Sequence, residues 1–310
     1  MSDWGKGVIN NIGWGQGANN DIGWGNIYDK SNAGETLLSG GGVFNNAFTI
    51  EVKTDNAGTS NDNQFQFTGA EGDYDVVAKQ NDTQVATFND LSGAETITLP
   101  SSGVYDLEVS AKEVNGFNRI QFNDSGDKNK ITDIKQWGTV VWSSFEESFD
   151  NCFNLLATAT DAPDLSNVTS LKRMFRFCTK VEPDTTNWDV SNVTYMQRMF
   201  NFASNCNPNV FLWDVSQVTD MDLMFRFATK ANPNARNWNV SNVSLMRLMF
   251  DDSNLSEENL TACYENWSQL SLQNNVSFGA GVTKYNSSGE AGRGILVNTY
   301  NWTITDGGQV

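Results

Sequence analysis

One phrase occurs four times in this chain, ending in Met174-Phe175, Met199-Phe200, Met224-Phe225 and Met249-Phe250, a period of 25 residues. The copies open with Asp164-Leu-Ser-Asn-Val-Thr, Asp189-Val-Ser-Asn-Val-Thr, Asp214-Val-Ser-Gln-Val-Thr and Asn239-Val-Ser-Asn-Val-Ser. A unit this short cannot bury its apolar face alone, so successive copies must stack into a solenoid. Such a stack offers a long regular surface, which suits binding better than catalysis. Val141-Trp142, Phe145 and Phe149 form a divergent first copy, giving five coils.

Within a copy, Val193, Met196, Met199 and Phe200 recur at the spacing of one face of a short helix. Ser191 or Asn192 stands where an N-cap would, and Thr194 with Gln197 makes a capping box. Trp188-Asp-Val190 before it reads as extended. Each coil is therefore expected to be a short strand, a turn and a brief helix, the leucine-rich-repeat plan with Met and Phe in the leucine positions. Trp188, Trp213 and Trp238 share one register and Phe177, Phe202 and Phe227 another, so two aromatic ladders are expected, in the core rather than on a ligand platform. Cys152 and Cys178 each follow a repeat phenylalanine by three residues, which stacks them about 5 Å apart in neighbouring coils. A disulfide and a pair of buried thiols both fit that placement, and Ala203 and Ala228 in the next coils favour the thiols. The sequons at Asn167, Asn192 and Asn242 repeat with the coil and read as turn residues rather than glycosylation sites.

Other periods govern the rest. Over residues 1–42, Trp4-Gly5, Trp14-Gly15 and Trp24-Gly25 recur every ten residues among Asn and Gly. Aliphatic residues are too few there for a core, so an anchor segment is expected that orders against a partner, with Trp4, Trp14 and Trp24 as its contacts. Over 43–115 the period falls to two, in Phe48-x-Ile50-x-Val52, Phe65-x-Phe67, Tyr74-x-Val76, Ile97-x-Leu99 and Leu107-x-Val109. Turn clusters between these strands predict a small antiparallel sandwich of the immunoglobulin-like sort. Coils then occupy 116–252. The period fails over 253–310, a C-terminal cap in which Ser256 starts a helix running to Trp267. The expected fold class is thus mixed and β-rich: anchor, sandwich, 25-residue repeat solenoid and cap.

Several functions are excluded. Histidine is absent, which removes the commonest general base and metal ligand. The four cysteines form no CxxC pair and no loop carries calcium-binding spacing, so no metal and no cofactor are expected. A net charge of −17 argues against nucleic acid. No apolar run reaches the roughly eighteen residues of a membrane span. Met1-Ser-Asp-Trp-Gly-Lys lacks the apolar stretch of a secretory signal, so synthesis in a cytosol with later release is expected, ahead of a mature chain whose leader is gone.

The phrases Trp188-Asp-Val-Ser-Asn-Val-Thr and Trp213-Asp-Val-Ser-Gln-Val-Thr, with the closing Trp302-Thr-Ile-Thr-Asp-Gly-Gly308, resemble BspA-like leucine-rich repeats of bacterial surface proteins over about two thirds of the chain. A PKD- or Ig-like module often precedes such repeats, although the PKD-type Asp-Gly-Asp turn is missing here. The opening Ser2-Asp-Trp-Gly-Lys-Gly-Val-Ile-Asn-Asn-Ile-Gly-Trp-Gly is similar to N-termini of structural proteins of phages infecting Bacteroidetes-type hosts. Together these resemblances imply a non-enzymatic protein of the virion surface, a spike or fibre, made in the host cytosol. Its N-terminus would dock to other virion proteins, and its repeats would face a host glycan or protein. A homo-oligomer is expected by analogy alone, a trimer as in phage attachment proteins. Arg173 and Arg198 precede the repeat Met, and Arg176 and Arg226 follow the repeat Phe, rows that could pair with anionic glycan or lipopolysaccharide. Lys180 and Lys230 share a further position. The competing readings are a bacterial cell-surface adhesin and a glycan depolymerase using carboxylates such as Glu146 and Glu147.

Overall fold

The structure, a computed structural model, describes residues 46–113 and 116–310; Trp4, Trp14 and Trp24 lie outside them. What is described is β-rich, with two α-helices, and its main sheet is antiparallel and open. Seven strands come first: β1 (Phe48–Lys53), β2 (Gln64–Gln66), β3 (Asp73–Gln80), β4 (Thr83–Ser92), β5 (Thr96–Thr98), β6 (Val104–Ala111) and β7 (Ile131–Gln136). Five of them form one sheet in the order β4-β3-β6-β1-β7, while β2 and β5 pair separately. Alternation explains the sheet: Phe48, Ile50 and Val52, then Tyr74, Val76 and Ala78, then Tyr105, Leu107 and Val109 all point inward and are buried. Phe67 of the β2–β5 side packs edge-on against Tyr74 with ring centroids 5.3 Å apart.

Strand β4 was not expected from the sequence. It is the outer edge of the sheet and is largely exposed, with only Ala86, Phe88 and Leu91 partly buried against the core. It joins β3 through Asn81 and Asp82, both left-handed (φ +51° and +59°), the geometry of a two-residue hairpin turn. The loop between β1 and β2 is pinned by a fully buried ion pair. Lys130 Nζ donates to the carbonyls of Ser60, Asn61 and Gln64 at 2.8–3.1 Å. Asp127 accepts from the backbone amides of Thr59, Ser60 and Gln66 at 2.8–3.0 Å. A side chain on Gly58 would stand 2.3 Å from Asp127 Oδ1, so only glycine passes there.

Strand β7 lies inside the stretch assigned to the coils, yet it pairs with β1. It also receives the next segment: Leu156 N–H donates to Thr132 O at 2.8 Å and Ala159 N–H to Ile134 O at 2.9 Å. The sheet therefore passes directly into the stack.

From residue 145 onward, successive 25-residue segments lie one on another. Met196, Arg198, Phe200 and Phe202 donate to the carbonyls of Asp220, Asp222, Met224 and Arg226, each at 2.9 Å, and the same four positions repeat this in neighbouring segments. Parallel bridges link Ser170 to Tyr195, Tyr195 to Asp220 and Asp220 to Leu245. The brief helix expected over 193–200 is absent. Met196, Met199 and Phe200 do point inward, but through tight turns in which Met199 N–H reaches Met196 O at 3.2 Å and Ala203 N–H reaches Phe200 O at 3.0 Å. Left-handed residues at Arg198 and Phe202 (φ +57° and +61°) redirect the chain after each turn, which no helix can accommodate. Ser191 and Asn192 consequently cap nothing. Instead Asp189 accepts from Ser191 N–H at 3.1 Å in an Asx turn, as Asp164, Asp214 and Asn239 do with Ser166, Ser216 and Ser241. Asn192 ties coils together through Nδ2 to Ser166 O at 3.1 Å.

The repeat phenylalanines Phe149, Phe175, Phe200, Phe225 and Phe250 form a buried ladder with centroids 5.5–5.9 Å apart. Trp213 and Trp238 stack at 6.3 Å, whereas Trp188 meets Trp137 edge-on at 5.7 Å. Three buried indoles reach back one coil: Trp213 donates to Thr185 O, Trp238 to Val210 O and Trp267 to Ala235 O at 2.9–3.2 Å, whereas those of Trp142 and Trp188 find no acceptor among the described residues. Cys152, Cys178, Cys206 and Cys263 are buried free thiols, and Cys178 donates to Phe149 O at 2.9 Å.

The stack ends in α1 (Glu257–Trp267), β8 (Ser277–Gly279), α2 (Glu290–Asn298) and β9 (Thr303–Thr305). Ser256 caps α1 by accepting from Asn259 N–H at 3.2 Å. Phe250 N–H donates to Gly279 O at 2.9 Å, so β8 takes the place of the next coil, and β9 pairs parallel to it. Asp306, nearly buried, accepts from Tyr264 Oη and Arg293 Nε, each at 2.7 Å, and locks the end.

Candidate functional site

The coil geometry demands a left-handed residue at two positions. Before the repeat Met these are Glu147, Arg173, Arg198, Leu223 and Leu248, with φ from +52° to +60°. Two residues after the repeat Phe they are Asn151, Phe177, Phe202, Phe227 and Asp252, with φ from +58° to +62°. Asn and Asp tolerate this conformation, but a bulky side chain there costs roughly 1–2 kcal/mol. Cheap residues stand at the two ends of the second row and phenylalanine in its middle. Side chains kept against a backbone cost must gain something from their position.

The phenylalanines gain a second, half-buried ladder, with centroids 4.5 Å apart for Phe177–Phe202 and 4.4 Å for Phe202–Phe227. Guanidinium groups cover its ends: Arg176 lies 5.2 Å from the Phe177 centroid and Arg226 4.6 Å from that of Phe227. Unlike the ladder of repeat phenylalanines, this one is only partly enclosed.

All four arginines singled out in the sequence sit on this segment of the coils, in different states. Arg173 pairs with Glu147 of the preceding coil at 2.6 Å. Arg176 forks onto Asp150 at 2.7 and 2.6 Å, and that carboxylate is fully buried. Burial pushes the Asp150 carboxyl above its ordinary value despite the fork. Arg226 and Arg198 make no ion pair among the described residues. Lys180 merely donates to Asn154 at 3.1 Å, and Lys230 lies 4.0 Å from Glu182 with both side chains largely exposed. Glu146 and Glu147, the carboxylates considered for hydrolysis, are tied to Lys172 at 2.7 Å and to Arg173. Burial raises the Glu146 carboxyl, but Lys172, joined by Ser170 and Arg119, holds the group below its ordinary range.

Arg198 borders a cleft of about 350 Å³ where the last coils meet β8 and β9. The sequence reading missed its partners there, Leu223, Leu248 and Arg247. Arg247 shares a coil position with Lys172, two before the repeat Met, a row that laying all five copies side by side would have exposed. Leu223 and Leu248 continue the row of Arg173 and Arg198, where only charge had been sought.

Among the described residues no cluster of three or more metal-ligating side chains occurs, and no helix is long and apolar enough to cross a membrane. Residues 143–267 match a family described as Mycoplasma protein of unknown function, DUF285. No curated protein and no solved structure matches the chain.

Proposed function

We propose that this protein is a non-enzymatic attachment protein whose coils form a leucine-rich-repeat-type solenoid that contacts a host surface. In this reading residues 43–115 form an Ig-like sandwich, the coils over 116–252 carry the binding face, and 253–310 cap them. The single observation that carries it is the pair of left-handed rows. Phe177, Phe202 and Phe227, with Arg198, Leu223 and Leu248 beside them, hold bulky side chains where asparagine or glycine would fold more easily. Arginines and stacked aromatics at the rim of a regular stack suit recognition of a repeating polymer. The engagement of Glu146 and Glu147 in ion pairs weighs against hydrolysis.

The virion placement rests on the resemblance of the N-terminal segment, with Trp4, Trp14 and Trp24 as docking contacts. A cell-surface adhesin is favoured by one observation, the match of residues 143–267 to a family described from a bacterium. The experiment for the attachment reading is adherence of labelled full-length protein to host envelopes, with the double variant Arg198→Glu, Arg226→Glu. Neither arginine makes an ion pair among the described residues, but Arg226 covers the Phe227 ring, so circular dichroism first checks that the variant folds. We expect adherence in the parent and a loss of roughly tenfold or more in the variant. Equal adherence of the two would refute a role for this face.

A further inference from the structure

Resting on the attachment reading, we infer that the cleft between Arg198 and Arg247 binds an acidic sugar, a pyranose carrying a carboxylate. Unspent guanidinium donors point to it first. The one fully buried carboxylate nearby, Asp222, is already spent on Arg247: it accepts from the Arg247 backbone amide at 2.7 Å, from Nε at 2.9 Å and from Nη2. Arg247 is thereby held in place while 61 % of its side chain stays exposed, with donors left over. Arg198 makes no ion pair among the described residues. Asp220 also acts on Arg247 and Asp251 lies against Gly279, so what sets this spot apart in a chain of net charge −17 is a pair of guanidinium groups with unspent donors rather than a surplus of charge.

The lining sets the kind of anion. Leu223 and Leu248 supply an aliphatic wall, both in left-handed backbone at φ +57° and +52°. Ser277 and Thr305 bring hydroxyls from β8 and β9. Gly279 lets β8 come close enough to form the far wall, since a Cβ there would stand 2.6 Å from the Leu248 backbone. Aliphatic carbon, hydroxyls and a guanidinium pair match the C–H face, the hydroxyls and the carboxylate of a uronic-acid-type ring. A nucleotide fits poorly, because Phe278, the one ring in the lining, is 1 % exposed and cannot stack on a base. The volume, about 350 Å³, holds one or two sugar rings.

The test is calorimetric titration of the full chain at low salt with a hyaluronan hexasaccharide, which alternates glucuronate with N-acetylglucosamine, and with uncharged chitohexaose. Saturable binding of the acidic probe alone is expected, weakened roughly tenfold or more by Arg198→Met and less by Arg198→Lys. Circular dichroism checks that both variants fold. Equal binding of the two probes, no binding of the acidic probe, or an Arg198→Met variant that binds as the parent does would overturn the inference. Envelope adherence measured on the same samples separates the two claims. Adherence without hexasaccharide binding sinks the acidic-sugar cleft and leaves the attachment reading standing. Hexasaccharide binding lost in Arg198→Met, without adherence, does the reverse.

Discussion

The sheet and the coil stack satisfy backbone hydrogen bonds in opposite ways. In the sheet, β1 pairs with β6 and β7, more than fifty residues further along the chain, and Asp127 and Lys130 reach back to 59–66. Each strand pairs with its own particular partners. In the stack, each coil bonds only to its neighbours through the same four amides, so any coil can serve as template for the next. The lesson concerns where novelty is tolerated. A unique sheet spends its side chains on specifying itself, while a repeated coil settles its fold with the inner Met, Phe and Trp rows and leaves its outer rows free to vary. Glu146, Lys172, Gln197, Asp222 and Arg247 share one coil position with five different side chains, and Asp222 there is buried beneath Arg247.

The sharpest way to break this contrast is to damage each region at its own weak point. Lys130→Met leaves the Asp127 carboxylate buried without its cation, and should cost about 3–5 kcal/mol by urea denaturation. Removing one whole period, residues 191–215, joins Val190 to Ser216 and restores the phrase, with Phe175 then stacked on Phe225. That chain should still unfold cooperatively with its circular dichroism preserved. A collapsed deletion variant beside a tolerant Lys130→Met variant would invert the account.

Next in size is the difference between the two phenylalanine ladders. Phe200→Ala, in the buried one, should cost about 3–5 kcal/mol. Phe202→Asn, two residues on, loses ring stacking but relieves the left-handed backbone, and should change stability by about 1 kcal/mol or less. Equal losses in the two would mean that the outer ladder is ordinary core.

The smallest effect is pH-dependent and belongs chiefly to the stack. Burial raises the carboxyls of Asp150, Asp220 and Asp251 above their ordinary value. Such groups hold protons in the fold that the unfolded chain has released, so their contribution is full below the ordinary carboxylate pKa and is lost as pH rises through the raised value. Acidification from pH 7 to 5 should therefore raise the melting temperature slightly, with relief of the −17 charge acting in the same direction. Glu146 and Asp184, held low, begin to cost stability only below the ordinary range. A melting temperature that falls steadily from pH 7 to 5 would contradict this.

Much of the architecture was legible because it rests on period. The 25-residue repeat implied stacked copies with Met199 and Phe200 turned inward, and period-two alternation found β1, β2, β3, β5 and β6; the Phe177, Phe202 and Phe227 ladder expected in the core is only half-buried. What escaped did so for physical reasons. Strand β4 packs only Ala86, Phe88 and Leu91 against the core, too few and too irregularly spaced to stand out, and its Asn81-Asp82 turn lacks the glycine that usually signals one. In α2, Gly292 and Gly294 mask a helix that Leu296 anchors by tertiary packing. The false helix at 193–200 arose because inward residues three and four apart look alike whether turns or a helix deliver them. Arg198 and Phe202 carry no mark of left-handed backbone. The same invisibility hid the cleft, since only the coil stack and β8 bring Arg247 and Arg198 into one lining.

One measurement bears most directly on the claim that recognition belongs to the repeats: hydrogen–deuterium exchange of the full chain with and without host envelope fragments. The account predicts new protection between residues 195 and 252, with little change over 46–113. Protection confined to 46–113, with the coils unchanged, would contradict it.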